Sequence, residues 1–317
     1  MSTTRRQIPL LIPLVVSFLV GVLSAVQARV NGQLAIELDN GLEAAVYSFG
    51  SGFLVLVVIV LIRPSIRAGV ARVPRAIRAG ELKWWQALGG VLGGFFVGAQ
   101  TAAVPLVGVA VFTVAVVAGQ STNSIVVDRI GLGPAGVQPI TVRRVLSAVI
   151  AVVAVTVAVS HRFSSPDFAP WAVTLAFVAG LLIAVQQAIN GRTARAAGNP
   201  MSATFLNFMF GTIALGAAFG IAWFVADRAP HALPPGPWWL YLGGVIGIFF
   251  IAGAAWAVPI VGVLQFALLT IAGQLSGALL LDIVAPTAAT AVAPTLVIGV
   301  VLAFVAVAVA ARGRASR

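Results

Sequence analysis

Long apolar stretches, separated by short segments that carry the charges and turn residues, run along the whole chain. A helix rises 1.5 Å per residue and needs about 20 residues to cross roughly 30 Å of hydrocarbon, so each stretch has the length of a membrane span. Two of the divisions between stretches rest only on the turn signals around Pro105 and Pro259. The pattern predicts ten spans, at 8–29, 43–62, 85–103, 106–127, 143–160, 171–189, 203–225, 239–256, 260–280 and 292–311.

The composition fits a chain that lies in lipid. Of 317 residues, 60% are hydrophobic and 9% are charged, with a mean hydropathy of +1.07, whereas a soluble domain carries roughly a quarter charged residues. The net charge of +11 comes from Arg and Lys in short loops beside apolar spans, which sets orientation in a membrane rather than binding nucleic acid. We therefore predict an all-α integral membrane protein of the plasma or inner membrane, without a nucleic-acid partner.

The positive charges also predict the orientation of the chain. If both termini are cytoplasmic, every Lys and Arg except Arg29, Arg162 and Arg228 falls inside, in agreement with the positive-inside rule. The 63–83 segment carries the densest group of these charges and is predicted to be a cytoplasmic loop. Binding of anionic lipid by this loop is an open alternative.

Residues that could carry catalysis or bind metals are scarce. The chain has no cysteine, and its two histidines, His161 and His231, lie in predicted loops, which argues against disulfides, thiol catalysis and a metal site. No Ser/His/Asp or paired-carboxylate arrangement falls inside the spans. We predict that the protein is not an enzyme and has no catalytic residue, metal or cofactor.

The sequence repeats internally. A shift of 159 residues aligns FLVGVLSAVQARVNG, Phe18–Gly32, with FVAGLLIAVQQAING, Phe177–Gly191, and eight of the fifteen residues are identical. A shift of 154 aligns residues 84–120 with 238–274, where nineteen of 37 residues match. Apolar sequence produces chance matches among Leu, Val and Ala, but the recurring Trp pair, proline and glutamine in the same order indicate a duplication.

The parity of the repeat predicts its arrangement. Each unit has five spans, an odd number, so the second unit inserts upside down relative to the first. We predict about ten transmembrane helices in two inverted five-helix repeats, residues 1–165 and 166–317. Exchange of conformation between two such halves converts an outward-open molecule into an inward-open one.

Each unit opens with a G-x5-Q-x3-N-G pattern (Gly21, Gln27, Asn31, Gly32; Gly180, Gln186, Asn190, Gly191) and continues through GG and PxxG segments. In these features the chain resembles a fused, double-length member of the YdcZ-type branch of the drug/metabolite transporter superfamily. The resemblance covers essentially the whole chain, and the Q-x3-N-G element is its most specific part. It implies a ten-helix secondary carrier of the inner membrane, an exporter whose substrate is unassigned.

Two amide pairs are the first candidates for the transport path. Gln27 and Asn31 are four residues apart on one helical face, as are Gln186 and Asn190. Amides donate and accept hydrogen bonds at once, so each pair could bind a polar substrate. Interhelical hydrogen bonding, or a helix C-cap at the Asn-Gly step, is an equally open alternative.

The predicted topology sorts the polar residues into two vestibules, which would act as alternating gates. Each vestibule would group the repeated polar residues that approach one face of the membrane. The outer vestibule would hold Gln27, Asn31, Gln274 and Asp282, and the inner one Gln186, Asn190, Gln120 and Asp128. Asn123, a further candidate for the transport path, approaches the inner face on the same helix as Gln120.

Asp128 and Asp282 are the acidic residues that recur in both halves. They are therefore candidates for proton coupling or for attracting a cation. A solvated carboxylate at a helix end is the alternative. Because no acidic residue lies near the predicted centre of a span, proton antiport has no obvious carrier and facilitated diffusion stays open.

Positions that break the internal symmetry are candidates for specificity, since a real substrate is not two-fold symmetric. Gln100, Trp256 and Gln265 align with Ala254, Ala102 and Val111. We predict that these three residues line a pocket, with interior packing as the alternative. Glycines at 89, 90, 93, 94 and 98, echoed at 243, 244 and 247, are predicted to permit close helix packing.

The function that these features favour is secondary transport of a small metabolite or amphiphile by alternating access. A non-transporting scaffold, or a passive channel or facilitator, is the alternative interpretation. The expected partners are a small-molecule substrate and the lipid bilayer, and a homodimer is left open.

Overall fold

The computed structural model describes residues 11–134, 136–163, 166, 168–226, 237–261, 263–286 and 292–312, and in these residues it contains helices and no strand. The predicted all-α fold is thus confirmed for the described part of the chain. The helices are α1 (Leu11–Glu37), α2 (Gly41–Ile62), α3 (Pro64–Arg78), α4 (Gly89–Arg129), α5 (Val142–Val159), α6 (Pro170–Ala197), α7 (Pro200–Ala226), α8 (Gly243–Val261), α9 (Val263–Val284) and α10 (Pro294–Arg312). Short 3₁₀ turns at Trp84–Leu88, Ser160–Arg162 and Trp238–Leu242 precede α4, α6 and α8.

Six of these segments are long and apolar enough to cross a membrane: α1, α2, α5, α6, most of α7 (Pro200–Val225), and α4 with its preceding turn. Shorter apolar helical stretches follow at 238–250, 268–284 and 294–309. Large apolar side chains on the outside of the bundle, such as Phe224 and Val225, are exposed. Such an exposed apolar surface is typical of a protein whose surroundings are lipid.

Helices α1 and α6 continue past the Asn-Gly steps at which the sequence predicted that they could end. Asn31 and Asn190 lie inside their helices, so the C-cap alternative is wrong. At Asn31 the side chain bonds to a neighbouring helix instead of capping its own. Helix α6 ends at Ala197, six residues beyond Gly191, and its C-cap Gly198 has a φ of 65°, the left-handed conformation that glycine adopts most readily.

Helix α4 contains two predicted spans without a loop between them. Its backbone stays helical through Pro105 and breaks at Gly108, where φ is 81° and ψ is 167°. The predicted division at Pro105 is therefore three residues early, because proline keeps a helical φ whereas Gly108 takes a positive φ that other residues avoid. We call residues 89–107 and 109–129 the first and second segments of α4.

The 63–83 segment, predicted as a loop, contains the amphipathic helix α3. Its apolar face is buried, and Ser202 Oγ of α7 donates a hydrogen bond of 2.9 Å to the carbonyl of Ile66. Arg67, Arg75 and Arg78 are exposed on the other face. The prediction from long, uniformly apolar stretches missed this helix, because arginines interrupt its apolar residues. Those residues nevertheless recur with a helical period.

Helix α4 forms the centre of the bundle. Residues 109–119 of its second segment are all buried, and this segment packs with α1, α5, α6, α9 and α10 into the largest apolar core. Helix α1 runs parallel to α9, since Ser17 contacts Thr270 and Arg29 contacts Asp282. Helix α1 runs antiparallel to α8, because a Cβ on Gly243 would meet Asn31 and one on Gly253 would meet Val20.

Candidate functional site

Glycine contacts between the two halves occur in reciprocal pairs. A Cβ on Gly21 of α1 would stand 2.0 Å from the carbonyl oxygen of Thr270 in α9. The repeat-equivalent Cβ on Gly180 of α6 would stand 2.2 Å from the carbonyl oxygen of Val116 in α4. Each half thus offers the other the same surface. Two further contacts are equivalent in the same way. A Cβ on Gly273 would stand 2.0 Å from the carbonyl oxygen of Phe18, and a Cβ on Gly119 would stand 2.0 Å from that of Phe177.

The two Q-x3-N-G elements contact opposite ends of the first segment of α4. Asn190 of α6 lies against Gly89, where the segment begins. Asn31 of α1 bonds to Gln100, eleven residues further along. At 1.5 Å per residue these contact points are about 17 Å apart along the helix. The two amide pairs therefore lie at different depths in the bundle.

Around Asn31 lies the first amide cluster, which we define as Gln27, Asn31, Ser48 and Gln100. Gln27 Nε2 donates to the carbonyl of Gly243 in α8 at 2.8 Å, and Asn31 Nδ2 donates to Gln100 Oε1 at 2.6 Å. Asn31 is 0% and Gln100 1% exposed. Asn31 Oδ1 and Ser48 Oγ are buried without a hydrogen-bond partner. The hydrogen bonds of the cluster thus join α1 to α4 and α8, whereas α2 contributes a buried hydroxyl without a partner.

The second amide cluster consists of Gln186, Asn190 and Asn207 and joins α6 to α7. Asn207 Oδ1 accepts from Gln186 Nε2 at 2.9 Å and from Asn190 Nδ2 at 3.0 Å. One acceptor on α7 therefore satisfies both amide groups of the repeat element. Asn207 is the repeat equivalent of Ser48, at the same offset of 159 residues.

The recurring Gly-Gly steps are explained by these clusters. A Cβ on Gly243 would stand 2.0 Å from Asn31 Oδ1, and one on Gly89 would stand 2.1 Å from Asn190 Oδ1. On Gly244, the second glycine of its step, a Cβ would stand 1.9 Å from the carbonyl oxygen of Ser48. The predicted role in close helix packing thus takes a specific form: the glycines let backbone approach the amide clusters.

Asp282 lies at the break in α4. Its carboxylate is 1% exposed and accepts from the backbone N–H groups of Val109 at 3.3 Å and Ala110 at 2.8 Å. It thus caps the beginning of the second segment, where backbone N–H groups have no partner within the helix. Arg29 approaches the same carboxylate at 3.8 Å and donates to the carbonyl of Ala285. The alternative of a solvated carboxylate is wrong for Asp282.

Asp128, the repeat equivalent of Asp282, has a different environment. It forms a hydrogen-bonded ion pair with Arg144 of α5. Its carbonyl oxygen accepts from the backbone N–H of Gln138 at 2.8 Å. The two aspartates are therefore equivalent in sequence but not in their contacts, and Asp128 is the more exposed of the two.

The remaining predicted polar residues lie along the contacts between α4 and α6 and between α1 and α9. Gln120 Nε2 donates to Gln187 Oε1 at 3.0 Å, and Asn123 Nδ2 donates to the carbonyl of Leu181 at 2.7 Å. Gln274 Nε2 donates to Ser24 Oγ at 2.7 Å. The structure thus brings Gln100 to Asn31, while Gln274 and Asp282 have partners outside the first amide cluster. Trp256 and Gln265 belong to α8 and α9, but their side chains lie outside the described residues.

Three functional candidates were missed in the sequence. Ser48 and Asn207 are polar residues at equivalent positions of two apolar spans, directly before the aligned Phe49 and Phe208. A comparison of polar residues at constant offset would have found them. Glu43, in the first turn of α2, is 2% exposed and its carboxylate is hydrogen-bonded to Tyr47. No repeated acidic residue indicated it, since Ser202 occupies the equivalent position.

Comparison with known proteins places the chain in a family. The family profile described as "Putative inner membrane exporter, YdcZ" matches residues 12–157 and 171–309. A solved structure described only as "Crystal structure of protein" has a TM-score of 0.55 and 20% sequence identity, and the match covers 96% of this chain and 98% of that one. At that identity the likeness shows the fold alone. No curated protein matches the chain.

Proposed function

The chain belongs to the YdcZ family of inner-membrane exporters, and on that premise we propose that it is a secondary transporter that moves a small metabolite or amphiphile by alternating access. Family membership supports the transporter role and a multi-pass location in the inner membrane. The two inverted five-helix repeats, residues 1–165 and 166–317, are the moving halves. Both termini are cytoplasmic in this proposal.

One observation carries the proposal: the two Q-x3-N-G elements contact the first segment of α4 at opposite ends. If the repeats had inserted in the same sense, the ends of α1 and α6 would reach the same level of the bundle. Reciprocal glycine contacts between the halves add a second line of support, because a pseudo-two-fold axis generates such pairs. An axis in the membrane plane is an arrangement found in many secondary carriers.

The amide clusters are the gates in this proposal. Contact between Asn31 and Gly243 closes one face, and contact between Asn190 and Gly89 closes the other. When α8 moves away from α1, the first amide cluster opens while the second stays closed, and the reverse movement opens the other side. Asp128 and Asp282 are proposed as coupling residues that act through the ion pairs they form rather than as isolated proton carriers.

Cross-linking tests the gates. The close approach of Asn31 Oδ1 to the Cβ position of Gly243 puts cysteines at 31 and 243 near the Cβ–Cβ distance of a disulfide, about 3.5–4.5 Å, and the same holds for residues 89 and 190. Because the native chain lacks cysteine, Asn31→Cys/Gly243→Cys and Gly89→Cys/Asn190→Cys can be compared directly. In proteoliposomes screened for uptake of amines, sugars, amino acids and amphiphiles, we expect either disulfide to stop flux and reduction to restore it.

The same measurement separates the alternatives. A carrier gives saturable flux that either disulfide blocks, whereas a passive channel gives flux that does not saturate and a scaffold gives none. Each double variant under reducing conditions is its own control, since it carries the same two side chains without the link. Unchanged saturable flux with both disulfides formed would show that these contacts are not gates.

A further inference from the structure

The two amide clusters differ in the residue at one pair of repeat-equivalent positions, one in α2 and the other in α7. In the second cluster Asn207 accepts from both amides, and its partners Gln186 and Asn190 are satisfied through their N–H groups. In the first cluster the equivalent residue is Ser48, and no hydrogen bond joins its hydroxyl to the amides. Asn31 Oδ1 and Ser48 Oγ are left without partners there, in residues that are 0% and 1% exposed.

These two oxygens lie close together. They stand 2.0 and 2.9 Å from the Cβ position of Gly243, which places them within about 5 Å of each other. A single nitrogen that donates to both at about 2.9 Å each can span that gap. Buried polar groups in folded proteins almost always have partners, and an unsatisfied acceptor costs its full desolvation. Asn31 Oδ1 can only accept and the Ser48 hydroxyl can also accept, so the pair fits a ligand that donates hydrogen bonds.

The charged side chains of α1 and α2, the helices that carry the two oxygens, favour a cationic donor over an anionic ligand. Glu43 is a buried carboxylate five residues before Ser48 in the same helix. Arg29 lies two residues before Asn31, on the opposite side of α1, where Asp282 pairs with it. The nearest described positive charge in α1 is thus directed away from the pair and balanced by its own partner.

We infer that the first amide cluster binds the ammonium group of a protonated amine, which donates to Asn31 Oδ1 and Ser48 Oγ. This inference rests on the proposed transport function and names the class of molecule carried. Because both residues are buried, binding requires α8 to move away from Asn31 at Gly243. The second amide cluster offers no equivalent pair of oxygens, because Asn207 Oδ1 already accepts from Gln186 and Asn190.

A matched pair of ligands tests the inference. Hexylamine and hexyltrimethylammonium carry the same charge and the same chain, but only the amine has N–H donors. For the full-length protein in nanodiscs, we expect hexylamine to raise the apparent Tm with saturation and the quaternary compound to have no saturable effect. An equal response to both ligands, or no response to hexylamine, overturns the assignment of an amine donor.

Substitution at Ser48 tests the location. Ser48→Asn copies the acceptor of the second cluster, so we expect a higher Tm without ligand and loss of the hexylamine response. Ser48→Ala, which keeps the volume small, should raise the half-saturating hexylamine concentration about two- to tenfold, the worth of one hydrogen bond. Ser65→Asn, an exposed serine on α3, is the control and should match wild type. Wild-type affinity in both Ser48 variants overturns the site.

Flux separates this inference from the proposed function. Hexylamine binding that depends on Ser48, without flux of any amine in proteoliposomes, would keep the site and overturn transport of amines. Saturable flux of another class of compound, unaffected by Ser48→Asn, would keep the transporter and overturn the site.

Discussion

At the scale of single residues, the packing of this bundle depends on glycines where helix backbones approach most closely. A Cβ on Gly180 would stand 2.2 Å from the carbonyl oxygen of Val116, a backbone atom that cannot turn aside. We expect Gly180→Ala to lower the free energy of unfolding by about 1–3 kcal/mol, as overpacking does. Gly216→Ala, exposed on α7 with nothing within 4 Å, is the control and should be neutral or slightly stabilising. The measurement is the Tm of both variants in the same detergent. Equal Tm values would contradict the close approach of α6 and α4.

At the scale of elements, the break in α4 depends on a residue from α9. Asp282 accepts from the two backbone N–H groups that begin the second segment, as an N-cap residue does, but from a distant part of the chain. We expect Asp282→Ala to cost about 1–3 kcal/mol, since it also leaves Arg29 without its carboxylate. Asp282→Asn keeps an acceptor and should cost less.

The repeat-equivalent aspartate provides the control for this element. Asp128 pairs with Arg144 where both side chains retain solvent access, and such pairs contribute about 0–1 kcal/mol. Asp128→Ala should therefore change the Tm less than Asp282→Ala does. If the two alanine variants lose the same stability, capping by Asp282 does not hold the break in place.

At the scale of the whole molecule, the orientation of the two halves is open to labelling. Glu37 and Arg195 lie near the ends of α1 and α6 and are exposed. If the repeats are inverted, Glu37→Cys reacts with an impermeant maleimide added outside the cell, whereas Arg195→Cys reacts only after permeabilisation. Arg75→Cys in α3 should behave like Arg195→Cys. Labelling of positions 37 and 195 from the same side would mean parallel repeats and end the proposed transport cycle.

The sequence by itself determined where the apolar helices lie, that the chain is duplicated, and that Gln and Asn recur on one face of the first helix of each half. These features are local: span length follows from the thickness of the bilayer, and a backbone in lipid must satisfy its own hydrogen bonds within a helix. Helix α3 was missed although its signal is also local, because its apolar residues form one stripe of an amphipathic helix rather than a continuous apolar stretch.

Tertiary structure alone decided which polar groups are satisfied. The break at Gly108 rather than Pro105 goes with a carboxylate 174 residues away in sequence, and the bond between Asn31 and Gln100 joins helices whose pairing no local pattern contains. The repeat identifies Ser48 and Asn207 as equivalent positions. Only the packing of the helices, α8 against α1 among them, shows that Asn207 accepts a hydrogen bond in its cluster whereas Ser48 does not. In lipid, helix positions follow from the chain's own hydrophobicity, whereas hydrogen-bond partners depend on which helices meet.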